Sequence, residues 1–142
     1  MSEDVSPTVH LQKIAFGIAT VSALRKRVAS RVAGKGGRHV ILTRMTPKRA
    51  EELVAGGSLY WVIGGALRAR QRIVSVETFS GSKRCRITLD PTVHETDPVA
   101  RKPFQGWRYL KREDAPTDLE RRERRHDIDP ELERELAALG LL

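Results

Sequence analysis

Cysteine is nearly absent: Cys85 stands alone among 142 residues. An internal disulfide is therefore excluded, and a reducing cytoplasm is the compartment this implies. No apolar run approaches the length that spans a bilayer, so no membrane partner is expected. The opening MSEDVSPTV is acidic and polar, so no signal peptide is expected. His10, His39, His94 and His126 are scattered among different elements with no Cys or carboxylate at ligand spacing, so neither a metal nor another cofactor is expected. No G-x-S-x-G nucleophile turn occurs, and GKGGR at 34–38 lacks the spacing and the strand–loop–helix context of a phosphate-binding loop. Aromatic residues make up only 5% of the chain, so their positions carry information.

Positive charge is plentiful. Residues 1–112 hold 21 Lys and Arg against 8 Asp and Glu, a net +13, whereas residues 113–142 hold 5 against 10, a net −5. A basic body with an acidic tail suits a polyanionic partner. Nineteen of the 26 basic residues are Arg, whose planar fork pairs with phosphate and stacks on bases. A GC-rich genome also favours Arg, so composition leaves both explanations open.

The length fits one domain that buries roughly two thirds of its unfolded surface. Residues 1–8 are expected to be disordered, residues 9–112 to form a single domain, and residues 113–142 to form a charged, helix-prone tail with a narrow Leu132/Leu136/Leu139 stripe. The pattern predicts a strand over 9–16 and a helix over 20–33, capped by Thr20 or Ser22 and ended by Gly34. A strand over 38–45 follows, then a short helix with Thr46 as N-cap and Pro47 in its first turn. Strands are expected at 58–63, 66–79 and 84–89, a loop over 91–103, and a last extended segment over 103–110. This order implies an α+β domain: a small, curved, mainly antiparallel sheet with two flanking helices.

The most informative stretch is GGSLYWVIGGALRARQRI. A two-residue Gly64-Gly65 turn would pair Trp61 with Arg68 and Leu59 with Arg70. Leu59, Trp61 and Ile63 would then share a face with Arg68, Arg70 and Arg72, the arrangement that base stacking and cation–π contact require. One bulge reverses the facing and puts Trp61 in the core. Arg84 and Arg86 repeat the alternation on the next strand, making a patch rather than scattered charge. Trp107, in QGWRY beside Arg108, is a second stacking candidate or a core plug. A catalytic reading would have to draw on Thr46, Lys48 and Glu77, which no local pattern ties together.

The stretches TRMTPKRAEELVAGGSLYWVI, RQRI, RCRITLDP and PFQGWRYLKREDAPTDL resemble a bacterial family known only as a domain of unknown function, over about residues 9–119. More distantly, PKRAEELVAGG, a strand and RQRIVSVETF resemble the helix–glycine–strand–strand core of the PUA-like superfamily (PUA, ASCH and EVE domains). That resemblance implies a pseudo-barrel whose cleft, beside the short helix, binds RNA or a modified base. It places Arg44, Thr46, Lys48 and Arg49 at the cleft, with Trp61 and the arginine row along it. SLYWVI stands where ASCH domains carry a Lys and a Glu-x-Arg, so binding is implied rather than ASCH-type catalysis. The expectation is thus a module for RNA or single-stranded nucleic acid. The alternatives are a small enzyme acting on a nucleotide or acylated base, and a protein-interaction module that uses the arginine face for an acidic partner or the C-terminal helix for a neighbour or a second copy.

Overall fold

The computed structural model describes residues 9–33 and 37–119. Seven strands and two helices make a mixed α+β domain: β1 Val9–Ile14, α1 Val21–Ala33, β2 His39–Thr43, α2 Ala50–Val54, β3 Ser58–Ile63, β4 Ala66–Thr78, β5 Cys85–Leu89, β6 His94–Ala100 and β7 Trp107–Lys111. The sheet is open and mostly antiparallel, in the order β2-β5-β4-β3-β1-β7, with β6 also paired to β4. Only β1 and β3 run parallel, because α2 lies on the crossover that leads into β3.

Helix α1 forms where expected. The Thr20 hydroxyl accepts the Ala23 N–H at 3.0 Å, and Val21, Leu24 and Val28 are buried against the sheet. The expected Gly34 stop and the Leu132/Leu136/Leu139 stripe lie outside the described residues. Helix α2 begins later than its sequence suggests. The Thr46 hydroxyl donates to the Lys83 carbonyl instead of capping, and the N–H of Arg49 is satisfied by the Tyr109 hydroxyl at 3.0 Å.

The β3–β4 hairpin corrects the expected register. Gly64 and Gly65 both have positive φ, 59° and 80°, as the tight turn requires. Ile63 pairs with Ala66 and Val62 with Leu67, as anticipated, but Trp61 then pairs with Ala69 and Tyr60 with Arg70. Arg68 is the extra residue of a β-bulge. Beyond it every side chain of β4 has changed face relative to β3. Leu59, Trp61 and Ile63 therefore join Ala69 and Ile73 in the main core. Arg70 instead shares the opposite face with Tyr60.

The segment 91–103, expected as a loop, contains β6. Cys85–Leu89 pairs with the second half of β4 and His94–Ala100 with the first half, so the chain runs back along nearly the whole of that strand. Pro98 falls where the β4–β6 register shifts, which is where a residue without an N–H can be accommodated. The chain after β7 turns once through Arg112–Asp114. It then packs back on the body, where Thr96 bridges to Asp118 and the Asp97 N–H donates to the Thr117 carbonyl at 2.8 Å.

Buried polar groups knit the sheet to its neighbours. The indole N–H of Trp61 can only donate, so the Gln71 atom it meets at 2.9 Å is the amide oxygen. The same oxygen lies 3.1 Å from His39 Nδ1, which must therefore carry the ring proton. The Gln71 amide nitrogen donates to the Asp90 carbonyl at 3.0 Å. His39 Nε2 is left as an acceptor facing Arg31 Nη1, 3.5 Å away. Burial, reinforced by Arg31 and Arg27, holds the His39 pKa below its ordinary value against the opposing Gln71 hydrogen bond.

His10 is also nearly buried, and its pKa falls from 6.5 to about 4. Burial is the main cause, with the charges of Arg70 and Arg112 adding to it. For both histidines the unfolded chain takes up protons that the folded chain refuses. Their contribution to stability is complete above the ordinary His range and is lost as pH falls through and below it. Thermal unfolding should accordingly show Tm decreasing between about pH 7 and pH 4.5, with both rings still neutral by NMR in the folded protein at the upper part of that range. A Tm flat across this window would contradict the assignment.

Candidate nucleic-acid interface

Strands β2 and β7 lie at opposite ends of the sheet order, yet the open sheet curls enough for the residues that follow β2 to reach β7. Trp107, the first residue of β7, donates its indole N–H to the Met45 carbonyl at 3.0 Å, just beyond the end of β2. Two residues on, Tyr109 receives the Arg49 N–H, and the Arg49 guanidinium lies 5.5 Å over its ring. Trp107 and Tyr109 meet edge to face at 5.0 Å. Together these contacts clasp residues 45–49 to β7 and fix the orientation of the Trp107 ring.

The curl leaves an open groove of about 800 Å³ along the seam. Lys13 and Phe16 from the end of β1, Leu42 to Met45 from the end of β2, and Gln105 to Trp107 line it. Three large apolar side chains are unusually exposed here: Phe16 at 64%, Leu42 at 60% and Met45 at 51%. The Lys13 ammonium lies 5.5 Å over the Phe16 ring, and partial burial lowers its pKa. Next to the groove is a second recess of about 410 Å³ that shares Lys13, Phe16 and Leu42 and adds Arg27, Arg31 and His39. Arg27 donates to the Phe16 carbonyl at 2.9 Å, holding the aromatic residue between the two. Among the described residues no carboxylate lines either recess.

Of the residues expected at a binding surface, Arg44 and Trp107 meet in this groove. Trp61 does not: it is buried at 6% exposure with its indole N–H given to Gln71, and it reaches only the wall of the adjoining recess. Arg49 is tied to Glu52 through two contacts of 2.7 Å. Lys48 is exposed beside α2. Arg108 points away from Trp107, on the other face of β7, and lies 5.2 Å over the Phe104 ring.

The expected arginine row is divided. Arg68 donates to the Ile63 carbonyl at 2.9 Å, and Arg70 is locked on Asp118 and Ser58. Arg72 and Arg84 are exposed. Arg86 pairs in register with Leu42, stands 5.4 Å over Phe79 and contacts Glu77 at 3.9 Å.

The catalytic combination of Thr46, Lys48 and Glu77 does not assemble around Thr46. The Thr46 hydroxyl meets Thr78, whereas Glu77, one residue away on β4, points to the other face toward Arg86. Lys13, Phe16, Leu42, Met45 and Gln105 were missed by reasoning from sequence. They come from three separated segments, and the one local signal was that Phe16, next to Gly17, closes a strand whose buried residues precede it.

The chain belongs to the family described as Protein of unknown function (DUF1489), whose family model matches residues 11–142. No curated protein and no solved structure matches it.

Proposed function

Since membership of that family brings no activity with it, the groove has to be interpreted from its own chemistry, and we propose that the domain binds RNA or another single-stranded nucleic acid there. The observation that carries this is an aromatic and apolar groove rimmed by Lys13, Arg44, Arg27 and Arg31 with no carboxylate among its described lining residues. Single strands offer the two surfaces such a groove accepts: base faces for Trp107 and Phe16, and phosphates for the cations. Duplex nucleic acid keeps its bases stacked and gains nothing from the rings. A ring already oriented by its bond to Met45 loses little freedom when a base stacks on it.

The PUA-like resemblance supports the same reading. The short helix, buried Gly57 and the β3–β4 hairpin occur in that order, and the curled sheet puts a groove beside the segment that leads into α2. The cytoplasm, where single-stranded RNA is abundant, is the compartment we infer.

Fluorescence polarisation with short single-stranded RNA, single-stranded DNA and duplex DNA tests the proposal. Trp107→Ala should weaken single-strand binding by roughly 5- to 100-fold, the range for one lost stacking contact. Arg44→Ala should lower the salt slope by about 0.7. Equal affinity for duplex and single strands, or Trp107→Ala binding as tightly as the parent, would remove the groove from the account.

A further inference from the structure

A third cavity lies on the opposite face of the sheet. His10 and Lys13 are three residues apart on β1 and so point to different faces, His10 away from the groove. The cavity has about 340 Å³ and is lined by His10, Ser58, Tyr60, Arg70, Arg112 and the segment Ala115–Asp118. The aromatic reading of the groove does not use it.

Hydrogen donors dominate its lining. The Ser58 N–H donates to His10 Nδ1 at 3.0 Å, so the neutral ring carries its proton on Nε2 and has that N–H to give. Tyr60, whose ring meets His10 edge to face at 5.1 Å, keeps its hydroxyl proton because burial raises its pKa. The Ser58 hydroxyl accepts from Arg70 Nη1 at 2.9 Å, which leaves its own hydrogen to donate. Asp118 is the one carboxylate in the lining among the described residues. Its two oxygens accept from Arg70 Nε and Nη2 at 2.9 and 2.8 Å, a paired geometry that neutralises the carboxylate and fixes the guanidinium. Arg112, exposed at the mouth, adds a second guanidinium. Among the described residues, two arginines against one aspartate leave the lining with an excess positive charge.

We infer that this cavity is an oxyanion site for a phosphate group, held by the Arg112 guanidinium and the His10, Tyr60 and Ser58 donors, with Asp118 serving to position Arg70. The phosphate could be free or could terminate a nucleic-acid strand, and these two sources share the same chemistry at the site. An anion seated among these groups would also oppose the depression of the His10 pKa by Arg70 and Arg112, so binding should tighten as pH falls toward the His10 titration.

The test is a titration of the full chain, followed by the histidine ring and tyrosine resonances in NMR. One arm uses inorganic phosphate. Another compares an oligoribonucleotide bearing a 5′-phosphate with the same strand lacking it. His10 and Tyr60 signals should move on addition of phosphate, or of the phosphorylated strand alone, and the His10 titration should shift upward. Movement with inorganic phosphate assigns a free-phosphate site; movement with only the phosphorylated strand assigns a terminus site. Arg112→Gln is exposed and should fold normally, with affinity falling about tenfold. Lys111→Gln, the adjacent exposed cation on the other face of β7, is the control and should leave affinity unchanged. Unmoved His10 and Tyr60 signals in both arms, or equal weakening by the two substitutions, would overturn the inference. Trp107→Ala should bind phosphate normally, so failure of this site and failure of the groove are distinguishable.

Discussion

Replacing Gly57 with Ala should be among the most damaging single-methyl changes in the domain. A Cβ at this position would stand 2.5 Å from the Leu53 carbonyl oxygen and 2.6 Å from that of Val9, with the Leu53 Cα at 3.0 Å. All three are backbone atoms, so no rotamer change relieves the clash. Gly57 is where α2 ends against β1: its N–H donates to the Leu53 carbonyl at 2.8 Å and its carbonyl accepts the Ile73 N–H at 3.0 Å. Making room would have to move α2, β1 or the start of β3, and each is hydrogen-bonded to another. A loss of roughly 3 kcal/mol is expected, at the upper end for overpacking, and a Tm lower by about 10 °C for a chain of this length. Gly81→Ala is the comparison. Gly81 has positive φ, 73°, where Gly57 does not, but open space around it, and should lose only about 1 kcal/mol. If denaturant unfolding gave the two variants equal losses, backbone crowding at Gly57 would not be the cause.

Gln71→Leu should be comparably severe for a different reason. The volume is nearly kept, but the indole N–H of Trp61 and the Nδ1–H of His39 both lose their acceptor, and the Asp90 carbonyl loses a donor. Gln71 is wholly buried and His39 is 1% exposed, so solvent does not replace the lost partners. At about 1–3 kcal/mol for each buried group left unsatisfied, the total is expected to be roughly 3–5 kcal/mol. His39→Leu combined with Gln71→Leu should cost less than the sum of the two single changes, because one orphaned N–H is removed along with its former partner. Additive losses would show that the two side chains do not share a network.

Much of the secondary structure is legible in the residues themselves. Alternation bounded by glycine pairs marks β3 to the residue, the Gly64-Gly65 turn sets the hairpin, and the apolar stripe with Thr20 before it sets α1. The basic body needs no structure to be seen. The short helix α2 was legible in its place but not in its start. Thr46 and Tyr109 are 63 positions apart, and which of them satisfies the free N–H near Arg49 depends on where β7 runs.

What the tertiary structure decided has one physical origin: strand facing and strand existence depend on partners distant in sequence. The hairpin pattern is compatible with either face for Trp61, and the bulge at Arg68 selects the buried one, where its N–H finds Gln71. HETDPVA is too polar and proline-bearing to be read as a strand. It becomes β6 because the free edge of β4 provides backbone partners that side-chain pattern does not encode. The groove is less visible still. Its lining comes from the ends of β1 and β2 and the start of β7, which only the curl of the sheet brings together, and Trp107 acquires its position from a carbonyl at Met45 that carries no side-chain signal. Residue chemistry thus determined which basic and aromatic side chains the chain carries, and the curvature of the sheet determined which of them come together.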